Sequence, residues 1–342
     1  MMILRFALAT ALACTGVAAG LTTSSQIAAA QDRAICYNCP PEWADWGSQL
    51  KAIKSTLGID VPPDNKNSGQ SIAALIAEKA SPVADVTYLG GIAAGSAVSA
   101  GVLAPYKPAG WDKIPADLKD PNGHWFTIHT GTLGLFVNTA ALGKAPVPQS
   151  YADLLKPEYK GLVGYLDPTS AAVGQIGVMA VNLALGGGYD NLDPAIKFFK
   201  ALAKNQPIVP KQTSYARVIS GEIPILFDYD FNAYRGQYTD KAPVRFVIPK
   251  EGSLVVPYVM GLVKDGPNAA NGKKVLDFVL SDASQAMWGN AYLRPVFADK
   301  LSAEAKAKFL PDADYARAKA VDLGKLGAAQ KAIIERYKNE VN

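Results

Sequence analysis

The chain has 342 residues, 49% of them hydrophobic, enough to bury a sizeable core in about two domains, and this excludes a disordered chain. Its 34 basic and 30 acidic side chains give a net charge of +4 with no run of Lys or Arg, too mild a balance for a nucleic-acid partner. With three cysteines, and only His124 and His129 beside them, a structural metal centre is not expected.

Residues 1–30 hold Arg5, an apolar run over 6–20 and Ala28-Ala29-Ala30 before Gln31, the layout of a secretory signal peptide cleaved after Ala30. Cleavage removes one basic and no acidic side chain, leaving 33 against 30. The apolar run is short and Ala-rich for a membrane span, and no later stretch is long enough. Cys14 lacks the Leu that a lipoprotein site wants three residues earlier, where Ala11 stands, so an unanchored exported protein is expected. Cys36 and Cys39 remain, spaced CxxC. In an extended segment they lie about 10 Å apart, beyond disulfide reach, whereas a turn before Pro40-Pro41 closes the gap.

The first strand is predicted over 33–39, followed by a helix over 42–57 in which Trp43, Trp46, Leu50, Ile53 and Leu57 share one face. That face packs on a sheet; alternatively Tyr37, Trp43 and Trp46 form an aromatic cage around a cation. A link over 61–67 leads to NSGQSIAALIAEK, a helix whose start at Ser68 and Gly69 offers free N–H groups. A strand over 84–89 ends at Gly90-Gly91, where backbone can approach a guest closely. The segment 125–137 reads as a long strand able to cross between two lobes.

The stretch GLVGYLDPTSAAVGQIGVMAVNLALGGG, residues 161–188, joins a buried strand over 162–166 to an apolar helix over 171–185 through a polar turn. Ligands of α/β sheets sit beyond the carboxyl ends of strands, and a helix N-terminus suits an anionic or polar guest. Thr169 and Ser170 are therefore candidates, with helix capping as their plain alternative. Further helices are predicted over 194–203 and 215–221. A buried strand over 223–227 then places Asp228, Tyr229 and Asp230 at its carboxyl end. If the strand conformation persists, Asp228 and Asp230 point the same way; otherwise Asp230 caps a helix running through 232–238. Strands over 244–249 and 255–263, helices over 271–280 and 284–292, and a helical tail broken at Pro311 complete the chain.

Six stretches in this order carry a resemblance: NSGQSIAALIAEK with ADVTYLGG; GTLGLFVNTAAL; PQSYADLLKPEYKGLVGYLDPTSAA; GEIPILFDYD; PKEGSLVVPYVMGLVKDGPN; and VLDFVLSDASQAMW. Together they resemble the periplasmic solute-binding proteins of ABC importers, in the branch of ferric-iron, polyamine, aminophosphonate and sugar-phosphate binders. The resemblance implies an α/β, two-lobed type II periplasmic-binding fold with two hinge-crossing strands. It places lobe 1 at 31–135 with 250–300 and lobe 2 at 136–249 with 301–342. It further implies a monomer in the periplasm, a small-molecule solute, an inner-membrane ABC permease as partner, and neither a cofactor, a metal nor catalysis. Ligand contacts are implied at Tyr37 and Trp43, Ser68 and Gly69, Gly90, Thr169 and Ser170, and Asp228, Tyr229 and Asp230. Iron binders of the branch carry adjacent tyrosines where Phe231 and Asn232 stand here, so an amine-bearing solute of the polyamine or aminophosphonate type ranks above ferric ion or a sugar phosphate. An enzyme or a ligand-sensing subunit on the same fold is the other-class alternative, but no GxSxG, P-loop or GxGxxG sequence supports chemistry.

Overall fold

A computed structural model describes residues 32–41, 43–211 and 214–341; the expected signal peptide and its cleavage after Ala30 lie outside these residues. The fold is organised by two long antiparallel strands, Phe126–Asn138 and Ser253–Val263. Every residue of Phe126–Asn138 is buried, and its β-branched, aromatic and small side chains suit a strand covered on both faces. Its first half pairs with Ser253–Val263, from Phe126 opposite Met260 to Thr132 opposite Val255. Its second half pairs with Ile225–Tyr229 and Val244–Val247. One strand thus serves two sheet halves, as a crossing strand must. Outward on one side lie Val86–Gly90 and then Cys36–Tyr37; on the other, Val163–Gly164 lies parallel to Ile225–Tyr229.

Helices cover both halves. Ala172–Ala184 is apolar on nearly all sides and correspondingly buried. The last helix, Leu323–Glu340, packs on Gly91–Ser99 as well as on Ala172–Ala184 and Asp193–Ala203, and the Tyr337 and Tyr165 hydroxyls meet at 2.8 Å. It therefore touches elements of both sheet halves. No helix among the described residues is long and apolar enough to cross a membrane.

Several expectations are corrected. The first strand is two residues long, because Cys36 and Cys39 form a disulfide with their Cα atoms 5.9 Å apart and turn the chain at Asn38 (φ 66°). The next helix begins at Trp46; Trp43 precedes it, since Ala44 and Asp45 are left-handed, and the expected start at Glu42 lies outside the described residues. Gly91–Ser99 is an unforeseen helix. The tail contains a strand, Ala318–Ala320, beside Ser253–Val255. The strand expected over 223–227 runs as Ile225–Tyr229, so Asp228 and Tyr229 lie within it.

Candidate functional site

Three segments face a cavity of about 360 Å³ near the crossing. Pro41, Trp43, Ala44 and Asp45 come from the turn after the first strand. Phe231, Asn232, Arg235 and Thr239 follow the strand Ile225–Tyr229, and Asn290, Ala291, Tyr292 and Leu293 close the third side.

The first wall starts from the disulfide. It encloses Asn38, whose side chain donates to the Tyr88 carbonyl at 2.8 Å and whose N–H donates to Asp64 at 2.9 Å. Two consecutive left-handed non-glycine residues, Ala44 and Asp45, cost conformational energy, and such residues cluster at binding sites. They release Trp43 from the helix towards the cavity. Its indole N–H donates to the Tyr88 hydroxyl at 3.3 Å, which lies 2.9 Å from His129 Nε2. Burial pulls His129 down to about 3 and pushes the Tyr88 phenol up, so this chain of three is neutral.

The second wall is a helix, Asp230–Tyr234, continued by a π-helical turn, Arg235–Thr239. Phe231 stands edge-on to Trp43 with centroids 5.4 Å apart and stacks on Tyr229 at 5.3 Å; Tyr258 lies 6.2 Å from Phe231. The side-chain amide of Asn232 donates to both oxygens of Asp228 at 3.1 Å. Burial pushes Asp228 up to about 6, opposed by the Tyr229 N–H and by Asn232. Burial also raises Asp230 to about 6, against the Thr132 N–H and the Tyr315 hydroxyl, each 2.9 Å away. The strand conformation does not persist past Tyr229, and the two carboxylates serve separate partners.

Of the sequence candidates, Trp43 lines the cavity, and Asp228 stands behind its lining residue Asn232. Tyr229 is buried beneath Phe231. Asp230 ties the helix start to the crossing strand and to the tail. Tyr37 is not among the residues lining this cavity; its hydroxyl donates to Glu78 at 2.8 Å and Lys66 sits 4.0 Å over its ring. Trp46 is fully buried against Tyr88 and Trp288.

Ser68, Gly69 and Gly90 gather at one place, where Ser68 Oγ accepts the Gly90 N–H at 3.0 Å; a capping box between Asn67 and Gln70 closes the first turn. Thr169 donates its N–H and hydroxyl to one oxygen of Asp167, at 2.8 and 2.7 Å, and the Ser170 N–H donates to the Asp167 carbonyl. Neither caps the following helix, whose N-cap is Ala171 without a side-chain bond. None of these five residues lines the cavity. Sequence reasoning missed Asp45, Arg235, Thr239 and Tyr292 as lining residues. The signal for the second wall was the recurrence of 231, 232, 235 and 239 on one helical face.

Comparison with known proteins agrees with this architecture. The chain matches the bacterial extracellular solute-binding protein family over residues 81–319. A Salmonella paratyphi A periplasmic protein named for binding 2-aminoethylphosphonate is 27% identical over 244 residues, 69% of each chain. Among solved structures, the periplasmic binding protein AfuA from Actinobacillus pleuropneumoniae, with exogenous fructose 6-phosphate bound, is 23% identical with a TM-score of 0.73, over 90% of this chain and 98% of that one. A ferric binding protein from Campylobacter jejuni is 20% identical with a TM-score of 0.71, again over 90% and 98%. The two structures share the two-lobed fold of type II periplasmic binding proteins. By the extent of the family match, this chain belongs to the bacterial extracellular solute-binding proteins, which are binding proteins rather than enzymes.

Proposed function

We propose that this chain captures an amine-bearing solute in the periplasm and delivers it to an inner-membrane ABC permease, acting as a monomer and making or breaking no bond. In this reading the lobes comprise 31–135 with 250–300 and 136–249 with 301–342, and they close over the cavity. A solute shifts that closure by its differential affinity for the closed form.

The observation that carries the reading is the aromatic wall of Trp43 and Phe231 beside the Asp45 carboxylate. Aromatic faces and a carboxylate attract an ammonium group. Ferric ion fits less well, because Tyr229 is buried in a stack with Phe231 and the cavity lining supplies one carboxylate. The relative named for 2-aminoethylphosphonate supports an amine, while AfuA and the ferric binding protein keep sugar phosphate and iron as the competing ligands.

A thermal-shift series on residues 31–342 tests this with 2-aminoethylphosphonate, putrescine, spermidine, fructose 6-phosphate and ferric ion. A ligand at about a hundred times its Kd adds roughly 2.7 kcal/mol of stability, a readily seen shift. Stabilisation by an amine is expected; stabilisation by fructose 6-phosphate or ferric ion alone overturns the reading.

A further inference from the structure

We propose that Arg235 is an oxyanion-binding residue of the cavity, so that, resting on the amine reading above, the solute is a zwitterion whose anionic end seats at Arg235 and whose ammonium lies by Trp43 and Asp45. Arg235 is the cation in the cavity wall. Arg217, Arg294, Arg317 and Arg336 each lie within 4.0 Å of a carboxylate; among the described residues Arg235, like Arg33 and Arg245 outside the cavity, has no such pairing. The carboxylate of Asp45, on the opposite wall, has none either among the described residues; it accepts the Ser48 hydroxyl at 2.8 Å, while its carbonyl takes the Ser48 and Gln49 N–H groups. Two opposite charges therefore face one cavity without neutralising each other. Closing them on a dipolar guest satisfies both, whereas a polyamine would meet Arg235 with like charge.

The guanidinium is also held. It lies 5.1 Å over the Tyr215 ring, whose hydroxyl donates to Asp240 at 2.5 Å. Arg235 opens the π-helical turn that ends at Thr239, closed by the Asp240 N–H on the Arg235 carbonyl at 3.1 Å. Such turns are rare and recur at functional sites. Both ends of this one line the cavity, and the Thr239 hydroxyl meets that of Tyr292 at 3.0 Å from across it. A planar guanidinium beside neutral hydroxyls matches the several oxygens of a phosphonate, phosphate or carboxylate.

Calorimetric titration of the chain from residue 31 and of its R235Q variant tests the assignment. The probes are 2-aminoethylphosphonate, inorganic phosphate (anion without amine) and putrescine (amine without anion). Arg235 is exposed and R235Q should unfold at the wild-type temperature; R245Q, at an exposed arginine outside the cavity, controls for net charge. The expected result is a 10- to 100-fold weaker Kd for 2-aminoethylphosphonate in R235Q, little change in R245Q, and partial recovery in R235K. If phosphate binds the wild type and R235Q abolishes it while neither amine binds, Arg235 stands and the amine reading falls. If putrescine is the tighter ligand, or R235Q holds 2-aminoethylphosphonate as the wild type does, the assignment of Arg235 falls while the amine reading stands. Binding of none of the three overturns both.

Discussion

The aromatic wall depends on a glycine in the crossing strand, and Gly131→Ala tests it. A Cβ at 131 would stand 2.6 Å from Cε1 and 3.2 Å from Cδ1 of Phe231, and 3.3 Å from Cδ1 of Tyr229. Ordinary contact begins near 3.4 Å, so the Phe231 ring must retreat by about 1 Å. It is backed by Tyr229 in a stack at 5.3 Å and faces Trp43 at 5.4 Å, so the open direction is the cavity. Overpacking of this size costs about 1–3 kcal/mol. Urea unfolding should show a lower midpoint with an unchanged slope, and titration with the solute a weaker Kd. Phe231→Leu in the same chain removes the obstructing ring edge, so the double variant should recover part of the loss, a coupling of about 0.5–3 kcal/mol. An unchanged midpoint and unchanged Kd in Gly131→Ala would refute the placement of Phe231 between the crossing strand and Trp43.

Two other perturbations follow from the same geometry. Asp228 titrates near 6 in the folded chain, above its unfolded value near 4, so the native state binds the proton more tightly across that interval. Its contribution is greatest below about pH 4, is lost as pH rises through 6, and is flat beyond. The difference in unfolding free energy between wild type and Asp228→Asn should therefore change by up to about 3 kcal/mol between pH 4 and 7, in favour of the amide at high pH; a pH-independent difference measured by urea unfolding would show that Asp228 is not desolvated. Replacing Cys36 and Cys39 by serine opens a loop of four residues, worth about 2 kcal/mol by chain entropy. Because that loop sets the path to Trp43 and Asp45, the solute should also bind more weakly, and calorimetry showing a lower melting point with unaltered Kd would separate stability from positioning.

Much of the fold was legible because its large elements have strong patterns. The apolar run of Ala172–Ala184 and the alternating, turn-bounded run of Phe126–Asn138 are called by burial, and both lie within a residue or two of their expected ends. Gly91–Ser99, with the sequence GIAAGSAVS, has too little contrast between its faces for periodicity to mark it. Tertiary packing makes it a helix: a Cβ at Gly91 would lie 2.7 Å from the Pro257 carbonyl and 3.1 Å from Leu323, so the helix starts where backbone meets the other crossing strand. The displaced start of Trp46–Leu57 has a different cause. Trp43 and Trp46 fit one helical face by spacing, but the disulfide turn and the left-handed pair at Ala44 and Asp45 carry the chain away from that face before the helix begins.

The site was less legible because its charges are brought together by register. Turn chemistry around Ser68 and Thr169 is local, and sequence shows it; Asp45 and Arg235 meet one cavity only through the pairing of the crossing strand with its neighbours. Leu133 opposite Tyr229 fixes where Ile225–Tyr229 ends, and the Thr132 N–H bound to Asp230 pins the first residue of the helix that follows. From that fixed start, helical spacing brings Phe231, Asn232, Arg235 and Thr239 to the same wall. Slipping the pairing by one residue would exchange the faces of Asp228 and Tyr229, burying a different side chain behind Asn232. The buried Asp230 thus matters without lining the cavity: its hydrogen bonds to Thr132 and Tyr315 anchor the first residue of the helix that leads to Arg235.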